Sequence, residues 1–312
     1  MKIFITGGCG YIGSVLTQKL LDNGYEVTVL DIQWFGNYLK KHKKLKIIKD
    51  DIRNIRNYSL KNYNTVIHLA NIANDPGVEL NQTLSWEVNV LATHMLIEKA
   101  VQDKVKHFIF SSSGSVYGIK KEKKVTEDLE LIPISAYNKT KMIAEKIVEN
   151  NNKYIKTHII RPATVCGVSP RMRLDVSVNM FTYQALCNNK MTVFGGKQVR
   201  PNIHIKDIVN VFFHFLNKPN LPSGPYNAGF ENIKILEIAK KINEITGAKI
   251  SILKSNDQRS YRQDSTKLIN TSFKNKFSVL DGINEVQEWY KYITKKDIDK
   301  FYTVKWMKKL GL

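Results

Sequence analysis

Short apolar runs alternate with amphipathic stretches through the first half of the chain, and the two periods predict different elements. Lys2 to Thr6 carries the run Ile3-Phe4-Ile5, and Tyr25 to Asp31, Leu45 to Lys49, Thr65 to Ala70, Val105 to Ser111 and Lys156 to Arg161 also read as strands. Between them, Tyr11 to Asn23, Leu84 to Gln102 and Ala136 to Glu149 carry apolar residues at the spacing of a helix with one buried face. This alternation predicts a doubly wound parallel sheet of the α/β class.

Past Pro162 the rhythm loosens. Helices are predicted over Asp175 to Asn188, Lys206 to Leu216, Ile233 to Thr246 (closed by Gly247) and Ile283 to Thr294. Met191 to Phe194 and Lys249 to Leu253 read as extended, Gly195-Gly196 as a turn, and Asn202 to Ile205 as a return to the sheet. Lys218 to Pro225, with three prolines, reads as a connector. The expected division is a sheet domain, residues 1–162 with 202–217 returning to it, and a smaller C-terminal α/β lobe, residues 163–201 and 218–312.

A length of 312 residues suits one large domain with an appended lobe. No stretch of 18 apolar residues occurs and the N-terminus reads as a strand rather than a leader, so a cytoplasmic protein off the membrane is expected. Cys9, Cys166 and Cys187 lie far apart and outside any metal-ligand spacing, which predicts reduced thiols and no metal. The formal charge of +20 comes from Lys distributed along the chain, as in Lys40-Lys41-His42-Lys43-Lys44 and Lys120-Lys121-Glu122-Lys123-Lys124. Such a surface attracts anions. The charge is not gathered into one stripe with interleaved aromatics, which argues for solvated faces and against a nucleic-acid partner.

The chemistry begins at Thr6-Gly7-Gly8-Cys9-Gly10-Tyr11-Ile12-Gly13, between a predicted strand and a predicted helix. Glycines at 7, 10 and 13 permit a tight turn, a close backbone approach to a diphosphate and close packing of helix on strand, while the helix N-terminus offers free N–H groups to an anion. Asp31, 18 residues past Gly13 at the end of the second strand, can accept hydrogen bonds from ribose hydroxyls and would repel a 2′-phosphate, which favours NAD over NADP. Asp51 suits either a contact to the adenine amino group or a turn paired with Arg53. Tyr137 and Lys141 stand four apart on one helix face. A phenol beside an ammonium is pushed towards phenolate, a base able to take a proton from a substrate hydroxyl. Ser113, in the serine-rich end of the fifth strand, either orients that hydroxyl or serves the turn.

These constellations, in this order, resemble the extended short-chain dehydrogenase/reductases, and within them the NAD-dependent epimerase/dehydratase family that acts on nucleotide sugars. The likeness spans nearly the whole chain. It adds Asp51-Ile52-Arg53, His68-Leu69-Ala70, Asn89-Val90, the segment from Ser111 to Gly118, Arg161-Pro162 and the segment from Arg200 to Asp207 to the motifs above. The resemblance implies a Rossmann fold in which Gly7, Gly10, Tyr11, Ile12 and Gly13 hold the NAD pyrophosphate, Asp31 the ribose, and Asp51 with Ile52 the adenine. Leu69, Ala70 and Asn71 would line the other end of the cofactor, with Tyr137 and Lys141 touching it. Ser113, Tyr137 and Lys141 match the catalytic triad, with Lys141 lowering the Tyr137 pKa. Asn179, Arg200 and Arg259 fall where the family contacts the substrate diphosphate or base.

Where dehydratases carry an acid pair after the catalytic Ser or Thr, this chain has Gly114-Ser115, a pattern that resembles the 4-epimerases. The run from Gly167 to Asp175 and the segment from Asp31 to Asn37 resemble a branch serving bacterial surface polysaccharides. The expected activity is a nucleotide-sugar epimerase working through transient oxidation, at C4, in a homodimer. The rivals are a net dehydrogenase or keto-reductase on the same residues, and a basic nucleic-acid-binding protein on the same fold.

Overall fold

A computed structural model of the chain describes residues 1–254 and 260–312. In chain order its strands are β1 (Lys2–Thr6), β2 (Glu26–Asp31), β3 (Leu45–Lys49), β4 (Thr65–His68), β5 (His107–Ser111) and β6 (Lys156–Pro162), followed by β7 (Thr164–Cys166), β8 (Lys190–Phe194), β9 (Val199–His204), β10 (Gly224–Ala228), β11 (Glu231–Lys234) and β12 (Lys249–Leu253). Seven form the central sheet in the order β10-β6-β5-β4-β1-β2-β3, every neighbouring pair parallel.

Both faces of this sheet are covered, which is why its central strands are apolar without alternation. Ile3 and Ile5 of β1 point into one layer with Leu16, Leu20, Phe212 and Phe215, from the helices Tyr11–Asp22 and Ile205–Asn217. Phe4 points into the other with Leu96, Ile97 and Val148, from the helices Ala92–Gln102 and Ala136–Asn150. The predicted helix over Leu84 to Gln102 is Gln82–Trp86 and Ala92–Gln102 joined through a π-helical segment, Glu87–Leu91.

Two expectations for the second half are corrected. Asn202 to Ile205 does not return to the central sheet. Its residues up to His204 belong to β9, the middle of a separate three-stranded sheet between β7 and β11. The seventh strand of the central sheet is β10, which lies partly inside the proline-rich segment read as a connector and pairs with β6 from Gly224↔His158 to Ala228↔Pro162. A third layer packs Met191 and Val193 of β8 against Val178, Ile238, Ile242 and Ile283. Among the described residues no helix is long and apolar enough to cross a membrane.

Candidate active site

The strand order reverses beside β1: the chain leaves it for β2 on one side and returns to β4 on the other. Crevices at such switch points, at the carboxyl ends of parallel strands, are where open α/β sheets take ligands. A cavity of about 600 Å³ opens there, lined from the glycine turn through Asp31, Asp51 and Asn71 to Ser113, Tyr137 and Lys141.

The turn is built for close approach. Gly7 has φ +75°, and a Cβ on it would stand 2.5 Å from the Ala70 nitrogen, so the turn and the end of β4 touch backbone to backbone. A Cβ on Gly13 would stand 2.2 Å from the Gly7 carbonyl oxygen. Gly10 occupies the N-cap of the helix Tyr11–Asp22 and no side chain caps it, leaving the N-terminus open to an anion. Asp31 joins this turn to the loop after β2: one carboxylate oxygen accepts from the Cys9 N–H at 2.9 Å and the other from the Gln33 N–H at 2.7 Å. Burial raises its pKa, and those two N–H groups and Arg171 oppose the rise.

Asp51 and Ile52 line the far end of the cavity. Asp51 also makes the turn contact, accepting from the Arg53 N–H at 2.9 Å and the Arg53 Nη2 at 2.8 Å. Beyond β4, the buried Asn89 accepts from the Ile72 N–H at 2.8 Å and donates to the Ile72 carbonyl at 3.1 Å, fixing the segment that carries Leu69, Ala70 and Asn71. Asn71 donates to the Leu69 carbonyl, and its Oδ1 is buried without a partner. An orphaned acceptor on the cavity wall, an uncapped helix N-terminus and a turn with no room for side chains fit a dinucleotide.

At the end of β5, Ser113 caps the short turn Gly114–Tyr117, accepting from the Ser115 N–H at 3.2 Å, with the two serine hydroxyls 2.8 Å apart. Tyr137 lies beside it. Burial raises the phenol to about 12, the Ser113 hydroxyl and Arg173 pull it down, and Asp75 pushes it up. Arg173, which was not expected from the helical spacing, thus acts on Tyr137 in the same direction as the Ser113 hydroxyl. Lys141 is 2% exposed, donates to the Ser111 carbonyl at 2.8 Å and is lowered to about 7 by burial, a fall that Glu145 opposes.

Beneath the pair runs a buried polar chain. The Ser112 hydroxyl donates to Glu145, and the Arg161 guanidinium grips the same carboxylate, with Nη2 at 2.7 Å. Arg161 Nη1 donates to the Tyr117 hydroxyl at 2.7 Å, which in turn donates to Asn227 of β10 at 2.8 Å.

The substrate candidates fare unequally. Arg200 lines the cavity beside Phe194, Gln198 and Tyr261. Asn179 does not face it: fully buried, it accepts from the Gly167 N–H at 2.9 Å and donates to the Arg173 carbonyl at 3.0 Å and the Tyr11 hydroxyl at 3.0 Å. Its amide is consumed in fixing the loop after β7, which corrects its expected substrate role. Arg259 lies outside the described residues. Thr164, Arg171, Arg173 and, from the last helix (Thr303–Lys309), Thr303 and Met307 also line the cavity, and none was singled out from the sequence. A signal existed for the arginines. In Arg171-Met172-Arg173-Leu174 the apolar residues are buried at 0%, so an alternating run turns its arginines to the other side.

A base and a hydroxyl gathered at a strand end, facing an anion cradle in a Rossmann sheet, define a nicotinamide-dependent enzyme class that acts on alcohols. Over residues 3–229 the chain matches the NAD dependent epimerase/dehydratase family, and it belongs to that family. Its cofactor is NAD. It is 32% identical over 273 residues to an uncharacterized UDP-glucose epimerase of Bacillus subtilis, covering 81% of this chain and 84% of that one. It is 30% identical to a UDP-glucose 4-epimerase of Lactobacillus helveticus, covering 78% and 82% respectively. Among solved structures it is similar to a UDP-glucuronic acid 4-epimerase from Bacillus cereus in complex with UDP-glucuronic acid and NAD, with TM-score 0.82, 28% identity and coverage of 93% and 99%.

Proposed function

We propose that this protein epimerises a UDP-sugar at C4 by transient oxidation and re-reduction. The observation that carries the reading is the meeting of Ser113, Tyr137 and Lys141 at the end of β5 on the wall that also holds the glycine turn. The names of the relatives supply the nucleotide. When bound, NAD supplies a reversible two-electron acceptor. The glycine turn, Asp31 and the segment Leu69 to Asn71 would hold it. Ser113 orients the sugar hydroxyl, and the Tyr137 oxygen takes its proton and returns it after the sugar turns over. Lys141, buried against the Ser111 carbonyl, contributes its charge to the site in the protonated form. Arg200 and Arg259 suit the substrate diphosphate.

The central sheet and its helices, residues 1–162 with Ile205–Asn217 and β10, are assigned to the cofactor, and most of the remainder of residues 163–312 to the substrate. Incubation with UDP-, GDP-, CDP- and dTDP-sugars, with NMR of the products, tests the reading. A new C4 epimer without net change in nicotinamide absorbance is expected. Stoichiometric absorbance change would instead assign a dehydrogenase or keto-reductase, and retention of nucleic acid with steep salt dependence would assign a binding protein.

A homodimer through the helices around Leu84 to Ala100 and Ala136 to Glu149 is supported by Trp86, Leu91 and Ile143, which are 38%, 51% and 36% exposed on them. Light scattering that returns a single copy in solution would refute it. The free thiol of Cys187, exposed, suits the reducing cytoplasm, where we place the protein as a supplier of sugar nucleotides for surface polysaccharide. Deletion of the gene without loss of such a polymer would overturn that role.

A further inference from the structure

Arg171 is a buried charge that the chain leaves unbalanced. It stands in the loop between β7 and the helix Ser177–Asn188 and is 3% exposed. Its Nη2 is 3.4 Å from the Thr303 hydroxyl, its Nε has no partner, and its guanidinium carbon lies 4.0 Å over the Phe35 ring. Both nearby carboxylates are already engaged. Asp31 is taken by the Cys9 and Gln33 N–H groups. Asp175 is taken by Arg173 at 2.8 Å, by Asn74 at 3.2 Å and by the Thr303 N–H at 3.3 Å. Among the described residues no carboxylate pairs with Arg171. Burial, and then Arg173 beside it, lower its pKa to about 10 against the opposing pull of Asp175, so it stays charged at neutral pH without a carboxylate bonded to it among the described residues.

An ionised group held out of water without a counter-ion is strongly destabilising, and a fold keeps one where a ligand supplies the missing charge. The neighbours of Arg171 say which ligand. Phe35, Asp31, Tyr11 and Thr303 line the cavity with it, and Asp31 is bonded to the Cys9 N–H of the glycine turn, whereas Arg200 enters the cavity lining from β9. We propose that Arg171 is the counter-charge for the NAD diphosphate, completing the anion site of the glycine turn, with Phe35 and Thr303 setting the plane of the guanidinium fork. The cofactor is then held by the first strand-turn-helix, a loop from the middle of the chain and the last helix together. A planar fork with five donors suits a diphosphate better than an ammonium does.

Removing the charge should not harm the empty protein. Arg171→Met keeps the unbranched stem over Phe35 and deletes the guanidinium. Calorimetry on the full chain freed of nucleotide should find the NAD dissociation constant raised about tenfold or more, that for UDP-glucose within about twofold of the original, and Arg171→Lys between the two for NAD. The thermal midpoint without nucleotide should equal or exceed the original, while the rise in midpoint on adding NAD shrinks. Unchanged NAD affinity, equal losses for NAD and UDP-glucose, or a lower midpoint in the empty variant would each overturn the proposal. If UDP-glucose binds neither protein, the proposed substrate is wrong and the NAD arm still decides the role of Arg171.

Discussion

Replacing Glu145 by Gln removes one charge from beneath Tyr137 and Lys141 and leaves its neighbours in place. Glu145 is buried at 0%, one helical turn past Lys141, and its carboxylate holds the Ser112 hydroxyl and the Arg161 guanidinium, the latter at 2.7 Å. Two consequences follow from that position. Arg161, 2% exposed, loses the one carboxylate paired with it among the described residues, and breaking a buried pair in this way costs about 3–5 kcal/mol. At roughly 2 °C per kcal/mol for a domain of this size, the melting midpoint should fall by about 6 °C or more. Separately, burial lowers the Lys141 pKa to about 7 and the Glu145 charge opposes that fall, so in the variant it drops further. At pH 7 to 8 the ammonium fraction shrinks, and the rate should decline towards alkaline pH earlier than in the original protein. Calorimetric melting reads the first effect and a pH–rate profile the second. Adding Arg161→Met should recover much of the lost stability, because no lone charge then stays buried, without restoring the profile. A midpoint within about 1 °C of the original in Glu145→Gln would refute the account of the pair, and an unmoved alkaline limb would refute the coupling to Lys141.

Tyr137→Phe should lower turnover by about a hundredfold or more while NAD binding measured by calorimetry is unchanged, since the phenol oxygen is the only atom removed, and near-normal turnover would sink its role as base. Acid should destabilise the fold through its buried histidines. His68, between Thr6 at 2.6 Å and Thr93 at 2.8 Å, is lowered from 6.5 to about 3 by burial and then by Lys141. A depressed histidine stabilises the fold fully above its unfolded pKa, and that contribution is lost as the pH falls from about 6.5 towards 3, so His68 alone should remove about 2 kcal/mol by pH 5. His107 and His158, 2.7 Å apart and lowered by burial to about 3 and about 4, act in the same direction. Urea midpoints that stay flat between pH 7 and pH 5 would show that these rings are not held neutral.

The first half of the fold was legible because each strand there is an apolar run and each helix an amphipathic one. β1, from Lys2 to Thr6, and β3, from Leu45 to Lys49, fall on their predicted bounds. β10 shows what hides the rest. Gly-Pro-Tyr-Asn-Ala has no β-branched residue and follows two other prolines, so local propensity argues against a strand. Its place comes from the partner: Tyr226 and Asn227 are buried at 1% and 0%, and Asn227 accepts from Tyr117 and donates to the Val125 and Asp264 carbonyls. The contacts to Tyr117 and Val125 span 110 and 102 positions and that to Asp264 spans 37, and no short window of sequence contains them. β9 misleads in the opposite way. It reads as a strand and is one, but whether it joins the central sheet or β7 and β11 depends on tertiary packing alone.

The site divides along the same line. Gly7, Gly13, Asp31, Ser113, Tyr137 and Lys141 line the cavity from positions whose spacing within a strand, turn or helix fixes their direction, so their place on its wall could be read from the sequence. Arg171 and Arg173 reach the cavity from a loop that Asn179 pins at Gly167 and at the Arg173 carbonyl, so the polar residue that looked like a ligand contact helps position the charges. Electrostatics follow tertiary position too. The Tyr137–Lys141 spacing suggests a lysine that acidifies a tyrosine, but in the folded chain burial works against both ionised forms, raising the phenol to about 12 and lowering the ammonium to about 7. Without its ligands the site therefore keeps its base protonated and its lysine half-neutral, while Arg171 stays charged. A cation near the phenol favours its ionised form but opposes the ammonium of Lys141, and on the proposed reading NAD in its oxidised form brings that cation to the phenol. Cofactor loading would then favour loss of the Tyr137 proton.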